Sequence, residues 1–139
     1  MTSGAGVKIF FDGGCRPNPG EMQLAVVARG VVHHVADVGP GSSEQAEWLA
    51  LLHALRVAEL IGEREVVLVG DAAGVIAQAN GTARCRYPEY RDRFRGQSAA
   101  FERVRVRYIK RNQNLAGIAL NKLRQLSPGA CPRSTAGSV

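Results

Sequence analysis

Apolar and polar residues alternate at the start of the chain. Val7, Ile9 and Phe11 fall on one side and Lys8 and Phe10 on the other, which predicts a strand buried on one face and largely covered on the other. The strand stops at Asp12. Gly13 and Gly14 follow without side chains, and Pro17, Pro19 and Gly20 stiffen and end a loop. A hairpin turn with a solvated Asp12 fits these residues equally well. Two short β runs come next, residues 24–28 and 31–36, with Arg29-Gly30 between them as a tight hairpin. His33 and His34 are neighbours on opposite sides of the second run and cannot chelate one ion together. Gly39-Pro40-Gly41 breaks the sheet.

The period then changes. Ala46, Leu49, Ala50, His53, Ala54, Val57 and Leu60 recur at helical spacing, predicting a helix over about 44–61 with Ser42 or Ser43 as its N-cap. Val66–Val69 is a continuous apolar run, as expected for a strand buried on both faces in a parallel sheet. It ends in Gly70-Asp71. A short helix over about 72–80 closes at Gly81. Residues 84–95 are rich in Arg, with Tyr87, Tyr90 and Phe94 interleaved, and a helix there is expected to continue to about 102. Val104, Val106 and Tyr108 alternate with Arg105 and Arg107, which predicts a half-exposed basic strand. A loop over 110–114 leads into a last helix over about 114–126. Residues 127–139 have no period and many small residues and breakers. The reading is one domain, 1–126, and a flexible tail, 127–139, with no internal repeat.

Charge changes this picture. The 139 residues carry a formal +6, but residues 1–83 hold five basic and nine acidic side chains and residues 84–124 hold twelve and three. A polyanion facing the second half is the natural partner, although a merely solvated surface has the same composition. A hydrophobic content of 45% excludes a disordered chain, and no apolar run is long enough to span a bilayer, so no membrane partner is expected. The first residues show neither a basic start nor an apolar run, so no signal peptide is read. Cys15, Cys85 and Cys131 form no metal pattern, which suggests free thiols in a cytoplasmic monomer, with a bridge from Cys131 left open.

Three acids stand in unusual places. Asp12 and Asp71 each end a buried strand, and Glu47 lies on the inward side of the first long helix beside Ala46 and Ala50. A carboxylate on a core-facing stripe is costly unless something pairs with it, although a Glu at the margin of that face remains open. If the strands of Asp12 and Asp71 are adjacent and parallel, all three acids meet at one sheet edge. Clustered carboxylates repel one another and call for a divalent cation. Hard oxygen donors without His or Cys point to Mg²⁺ or Mn²⁺.

Four segments in order resemble type 1 ribonuclease H: Phe11-Asp-Gly-Gly-Cys-Arg-Pro-Asn-Pro-Gly20, Ser42-Ser-Glu-Gln-Ala-Glu-Trp-Leu-Ala-Leu51, Val66-Val-Leu-Val-Gly-Asp71, and Ile109-Lys-Arg-Asn-Gln-Asn114 leading into the last helix. The resemblance covers about residues 7–126. It implies an α/β ribonuclease H-like fold, a five-stranded mixed sheet of three antiparallel strands and then two parallel ones, flanked by helices. It also implies hydrolysis of the RNA strand of an RNA/DNA hybrid by a two-metal-ion mechanism, with Asp12, Glu47 and Asp71 as metal ligands. Gly13, Gly14, Arg16 and Asn18 would lie under the hybrid backbone. Ser43 and Glu44 stand where the family often has two Asn that contact nucleic acid, and Ser43 and Arg111 join the expected contacts. Arg84, Arg86, Arg105 and Arg107 are further candidates for phosphate.

The chain departs from the family where a fourth carboxylate usually opens the last helix, since no Asp or Glu follows Glu102. Counting from Asn114 places Gly117 or Ile118 there. Following the apolar frame Leu120–Leu123 places Asn121 there, which supplies a neutral oxygen donor. Asn121 is taken as the fourth catalytic and metal-ligating residue, with a solvent-facing role as its competitor. No His follows His53, so the family's His before the last helix is also missing, and Arg111 is the nearest cation. A binding module that has lost hydrolysis, or another nuclease of the same fold, are the alternatives.

Overall fold

The computed structural model describes residues 6–126. The tail expected over 127–139, and Cys131 with it, lies outside the described residues. Strands β1 (Val7–Cys15), β2 (Gly20–Ala28) and β3 (Val31–Val35) form an antiparallel meander. Its β2–β3 hairpin turns through Arg29 and Gly30, both at positive φ (53° and 78°). A two-residue strand, β4 (Pro40–Gly41), is followed by helix α1 (Ser43–Leu60), strand β5 (Glu65–Gly70) and helix α2 (Ala73–Ala79). Helix α3 (Pro88–Ser98), strand β6 (Arg103–Tyr108) and helix α4 (Leu115–Leu126) complete the described chain. The sheet order is β3-β2-β1-β5-β6, with β5 parallel to β1 and β6 parallel to β5. This is the expected mixed sheet of three antiparallel and two parallel strands, with β4 added beside β2.

Four local expectations are corrected. β1 does not stop at Asp12: Asp12, Gly13, Gly14 and Cys15 pair with Ala25, Leu24, Gln23 and Met22. The glycines weaken the strand signal in the sequence, but the ladder to β2 decides the conformation. Pro40–Gly41 does not simply break the sheet, because it pairs with Gly20 and Glu21 at the edge. α1 is buried over a wider arc than the expected stripe. Trp48, Leu51, Leu52, Leu55 and Ala58 are buried, Leu49 and His53 only half-buried, and Leu60 is 73% exposed. α3 is shorter than the expected 84–102 helix. Pro88 sits in its first turn, where a missing N–H costs nothing, and Tyr87 before it is extended.

The helices divide between the two sheet faces. On one face Ile9, Phe11, Leu24 and Val26 pack with Ala50, Leu51, Ala54 and Leu55 of α1. On the other, Phe10, Ala25 and Val27 pack with Ala116 and Leu120 of α4. The N-terminus of α1 is fixed by a capping box. The Ser42 hydroxyl accepts from the Gln45 N–H at 3.1 Å, and the Ser42 N–H donates to Gln45 Oε1 at 3.0 Å. Trp48 donates its indole N–H to Gln78 Oε1 at 3.1 Å and meets Phe94 edge-on at 6.5 Å, so α2 and α3 are both seated on α1. Among the described residues no helix is long and apolar enough to cross a membrane.

Candidate active site

The alternation that buries Ile9 and Phe11 under α1 turns Asp12 and Gly14 toward α4. Gly13 points the other way, and α1 closes directly on it: a Cβ there would stand 2.2 Å from the Ala46 carbonyl oxygen. That approach lets the Gly13 N–H donate to Glu47 Oε1 at 3.2 Å. Asp71 follows β5, which is parallel to β1, so its carboxylate emerges at the same sheet edge. Asp12, Glu47 and Asp71 thus line one cleft of about 370 Å³.

Their electrostatics register the crowding. Burial, and then the charge of Asp71, push Asp12 up to about 6 from an ordinary 3.8, while Arg111 and Arg124 pull it back. Burial holds Glu47 well above the usual carboxylate range, and the charges of Asp12 and Asp71 raise it further. Asp71 is differently placed. Its Oδ1 accepts from the Asn114 amide at 2.7 Å, and its Oδ2 pairs with Arg111 Nε at 3.1 Å.

The donor set, three convergent carboxylates with two of them starved of positive charge, suits a hard divalent cation. Among the described residues no group of three His, Cys, Asp or Glu forms a ready-made cage. The commitment of both Asp71 oxygens to Asn114 and Arg111 gives a physical reason.

The other expected residues are distributed unevenly. Gly13, Gly14, Arg16, Ser43, Arg111 and Asn121 line the cleft, and so do Gly117 and Ile118, the competing positions on α4. The Gly13 N–H is spent on Glu47 and is not free for a ligand. Asn18 is outside the lining. Its Oδ1 accepts from the Ser43 N–H at 3.1 Å and so ties the β1–β2 connection to α1. Arg86 pairs with Glu44 at 3.6 Å, while Arg105 and Arg107 sit on edge strand β6, away from the lining. A Cβ on Gly117 would lie 3.6 Å from Asp12 Oδ2, so α4 passes closest to Asp12 at a residue with no side chain.

Two contributors escape the sequence reading. Asn114 is fully buried. Its amide N–H₂ donates to the Phe11 carbonyl (3.1 Å) and to Asp71, and its Oδ1 accepts the Ala116 N–H (3.1 Å), capping α4. One side chain therefore joins β1, Asp71 and α4. An Asn just before a helix is a cap signal, but nothing local announces the bond to Phe11. The second is Arg124, two turns along α4 from Gly117, whose guanidinium lies over Gly14 inside the same cleft.

A family model described as reverse transcriptase-like matches residues 10–123. Among solved structures, the chain is similar to an RNase H1 from the halophilic archaeon Halobacterium salinarum NRC-1, at 28% identity and a TM-score of 0.74, covering 82% of this chain and 92% of that one. It is similar to LC11-RNase H1 in complex with an RNA/DNA hybrid, at 25% identity and a TM-score of 0.69, covering 84% and 94%. It shares its fold with the N-terminal RNase H domain of rv2228c from Mycobacterium tuberculosis, at 24% identity and a TM-score of 0.71, covering 87% and 97%. No curated protein matches.

Proposed function

Because the chain belongs to the reverse transcriptase-like family, a ribonuclease H family, we propose that it is an endoribonuclease hydrolysing the RNA strand of RNA/DNA hybrids with two Mg²⁺ or Mn²⁺ ions. The observation that carries this reading is the convergence of Asp12, Glu47 and Asp71 in one cleft, with Asp12 and Glu47 pushed up by burial and by each other's neighbourhood. The similarity to an RNase H1 solved with a hybrid supports the choice of substrate.

In the overall reaction a water oxygen bonds to phosphorus and the P–O3′ bond breaks. The 3′-oxygen leaves with a proton from water, and the other fragment keeps a 5′-phosphate. Divalent ions, when bound, would supply the charge that makes water nucleophilic and stabilises the leaving oxygen. The protein's part is positioning. Asp12, Glu47 and Asp71 hold the ions, and Asn121 stands as the fourth, neutral ligand. Asn114 fixes the Asp71 carboxylate against β1. Arg111 takes Asp71 in the absence of a cation and is released to substrate phosphate when a cation replaces it. Gly14, Arg16, Asn18 and Ser43 meet the hybrid backbone, where ribose 2′-OH groups distinguish RNA from DNA.

The test is a gel assay with labelled hybrid, duplex DNA and single-stranded RNA, with and without Mg²⁺ or Mn²⁺. Cleavage confined to the RNA of the hybrid and abolished by chelation is the expected result. A second reading, a nucleic-acid-binding module with weakened hydrolysis, draws on the capture of Asp71 by Arg111 and the lack of any acid on α4. Tight hybrid binding without cleavage under either ion would favour it.

A further inference from the structure

The cleft that holds three acids also holds three arginines, Arg16, Arg111 and Arg124. Arg111 is engaged by Asp71. Arg124 is not engaged: among the described residues it has no carboxylate within 4 Å and no hydrogen-bond acceptor. Its place is nevertheless well defined. Gly117, Asn121 and Arg124 follow one another at spacings of four and three along α4, so they share the helix face that lines the cleft. Across from that face, Asp12 meets Gly117 and Gly14 meets Arg124. The guanidinium rests in the space that a side chain on Gly14 would fill, with Nη2 2.8 Å from where its Cβ would be.

Resting on the functional reading above, we propose that Arg124 binds a non-bridging oxygen of the scissile phosphate and is a catalytic residue of this chain. A guanidinium is always charged and offers a planar fork of donors matched to phosphate oxygens. Burial and the neighbouring Arg16 both disfavour its charge, and Asp12, Cys15 and Glu47 restore it, so the group is held by the field of the acid cluster rather than by a partner of its own. Such a cation is ready for an anion entering the cleft. It costs little reorganisation, which is what makes fixed charges effective at a developing transition state.

The experiment compares wild type, Arg124→Gln and Arg124→Lys. Equilibrium binding of a labelled hybrid in EDTA is measured across a salt series, and kcat is measured with Mg²⁺. Arg124→Gln is expected to weaken binding about tenfold at low salt and to flatten the slope of log K against log[salt] by about one. Its kcat is expected to fall by on the order of 10²-fold. Arg124→Lys should keep the slope and part of kcat. An unchanged slope in a folded Arg124→Gln, or the same slope loss in Arg124→Lys, overturns the assignment. If Arg124→Gln does not fold, Gly14→Ala displaces the same guanidinium and stands in for it. Wild type that binds hybrid but never cleaves it would overturn the proposed function, and the salt slopes would still decide whether Arg124 meets phosphate.

Discussion

Replacing Asp12 by Asn should abolish cleavage and yet stabilise the metal-free protein above pH 6. Asp12 titrates near 6 in the folded chain and near 3.8 when its surroundings are removed. A raised carboxyl means that the folded state holds its proton more tightly than the unfolded one. Stability is therefore greatest below the lower value, falls as pH rises through the window between the two, and stays low above about 6. A shift of about two units corresponds to about 3 kcal/mol at neutral pH. Asn carries no charge at any pH, so it escapes this cost, and it also relieves Glu47, whose carboxyl is raised partly by Asp12. Allowing for the lost interaction between the two side chains, a net gain of roughly 2 kcal/mol is expected, worth about 5–8 °C in Tm for a domain of this size. Thermal unfolding in EDTA at pH 4, 6 and 8 measures it. The two proteins should nearly coincide at pH 4 and diverge by pH 8. Mg²⁺ should then raise the Tm of wild type and leave Asp12→Asn almost unmoved. A mutant less stable than wild type at pH 8, or a difference that does not change with pH, would refute the account of a cluster strained by its own charge. Cleavage by the folded mutant within about tenfold of wild type would refute the role of Asp12 in catalysis, since losing a central electrostatic group costs on the order of 10²-fold or more.

Three further outcomes are expected. Hybrid affinity should drop roughly 500-fold between 50 and 200 mM salt if about five arginines meet phosphates, with little dependence on base sequence; a flat isotherm series would contradict the charge reading of residues 84–124. Asn114→Ala should lower stability by about 3 kcal/mol, because it uncaps α4 and leaves the Phe11 carbonyl without its buried donor; a chemical-denaturation midpoint equal to wild type would show that water replaces the amide. Asn121→Asp should tighten Mn²⁺ binding and preserve or raise the cleavage rate, with Asn121→Ala lowering it less than Asp12→Asn does; if instead only Ile118→Asp gains activity in a Mg²⁺ and Mn²⁺ titration, the ligand position belongs to Ile118.

Local pattern and tertiary approach contribute differently to this site. Asp12, Glu47 and Asp71 are legible because each interrupts an apolar pattern whose period is set by secondary structure, so a carboxylate there has to be explained. The parallel pairing of β1 with β5, which brings Asp12 and Asp71 together, follows from the buried run at Val66–Val69 and the helix before it. The continuation of β1 through Gly13 and Gly14 was not legible, because a glycine pair in a sequence signals a turn and only the facing residues of β2 show that it is a strand. Asn114 has the same character. Its capping bond is local, but its bond to Phe11 spans 103 residues, and no local pattern records that.

Helix α4 joins the two cases. That it lacks an acid can be read directly from the sequence, and the search for a fourth ligand naturally ends on the residue nearest in register. What fills the space is set by how close α4 comes to β1. Gly117 on one side and Gly14 on the other remove the Cβ atoms that would hold the two apart, so Asp12 lies against bare helix backbone and Arg124 reaches in two turns later. The consequence for the chemistry is a charge of the opposite sign. A fourth carboxylate would draw metal inward, whereas an arginine on the same face competes with metal for Asp12 and Glu47 and attracts phosphate instead. Metal affinity and phosphate affinity should therefore trade against each other in this cleft, and Arg124→Gln, by removing the cation alone, should tighten Mg²⁺ binding while weakening the grip on the hybrid.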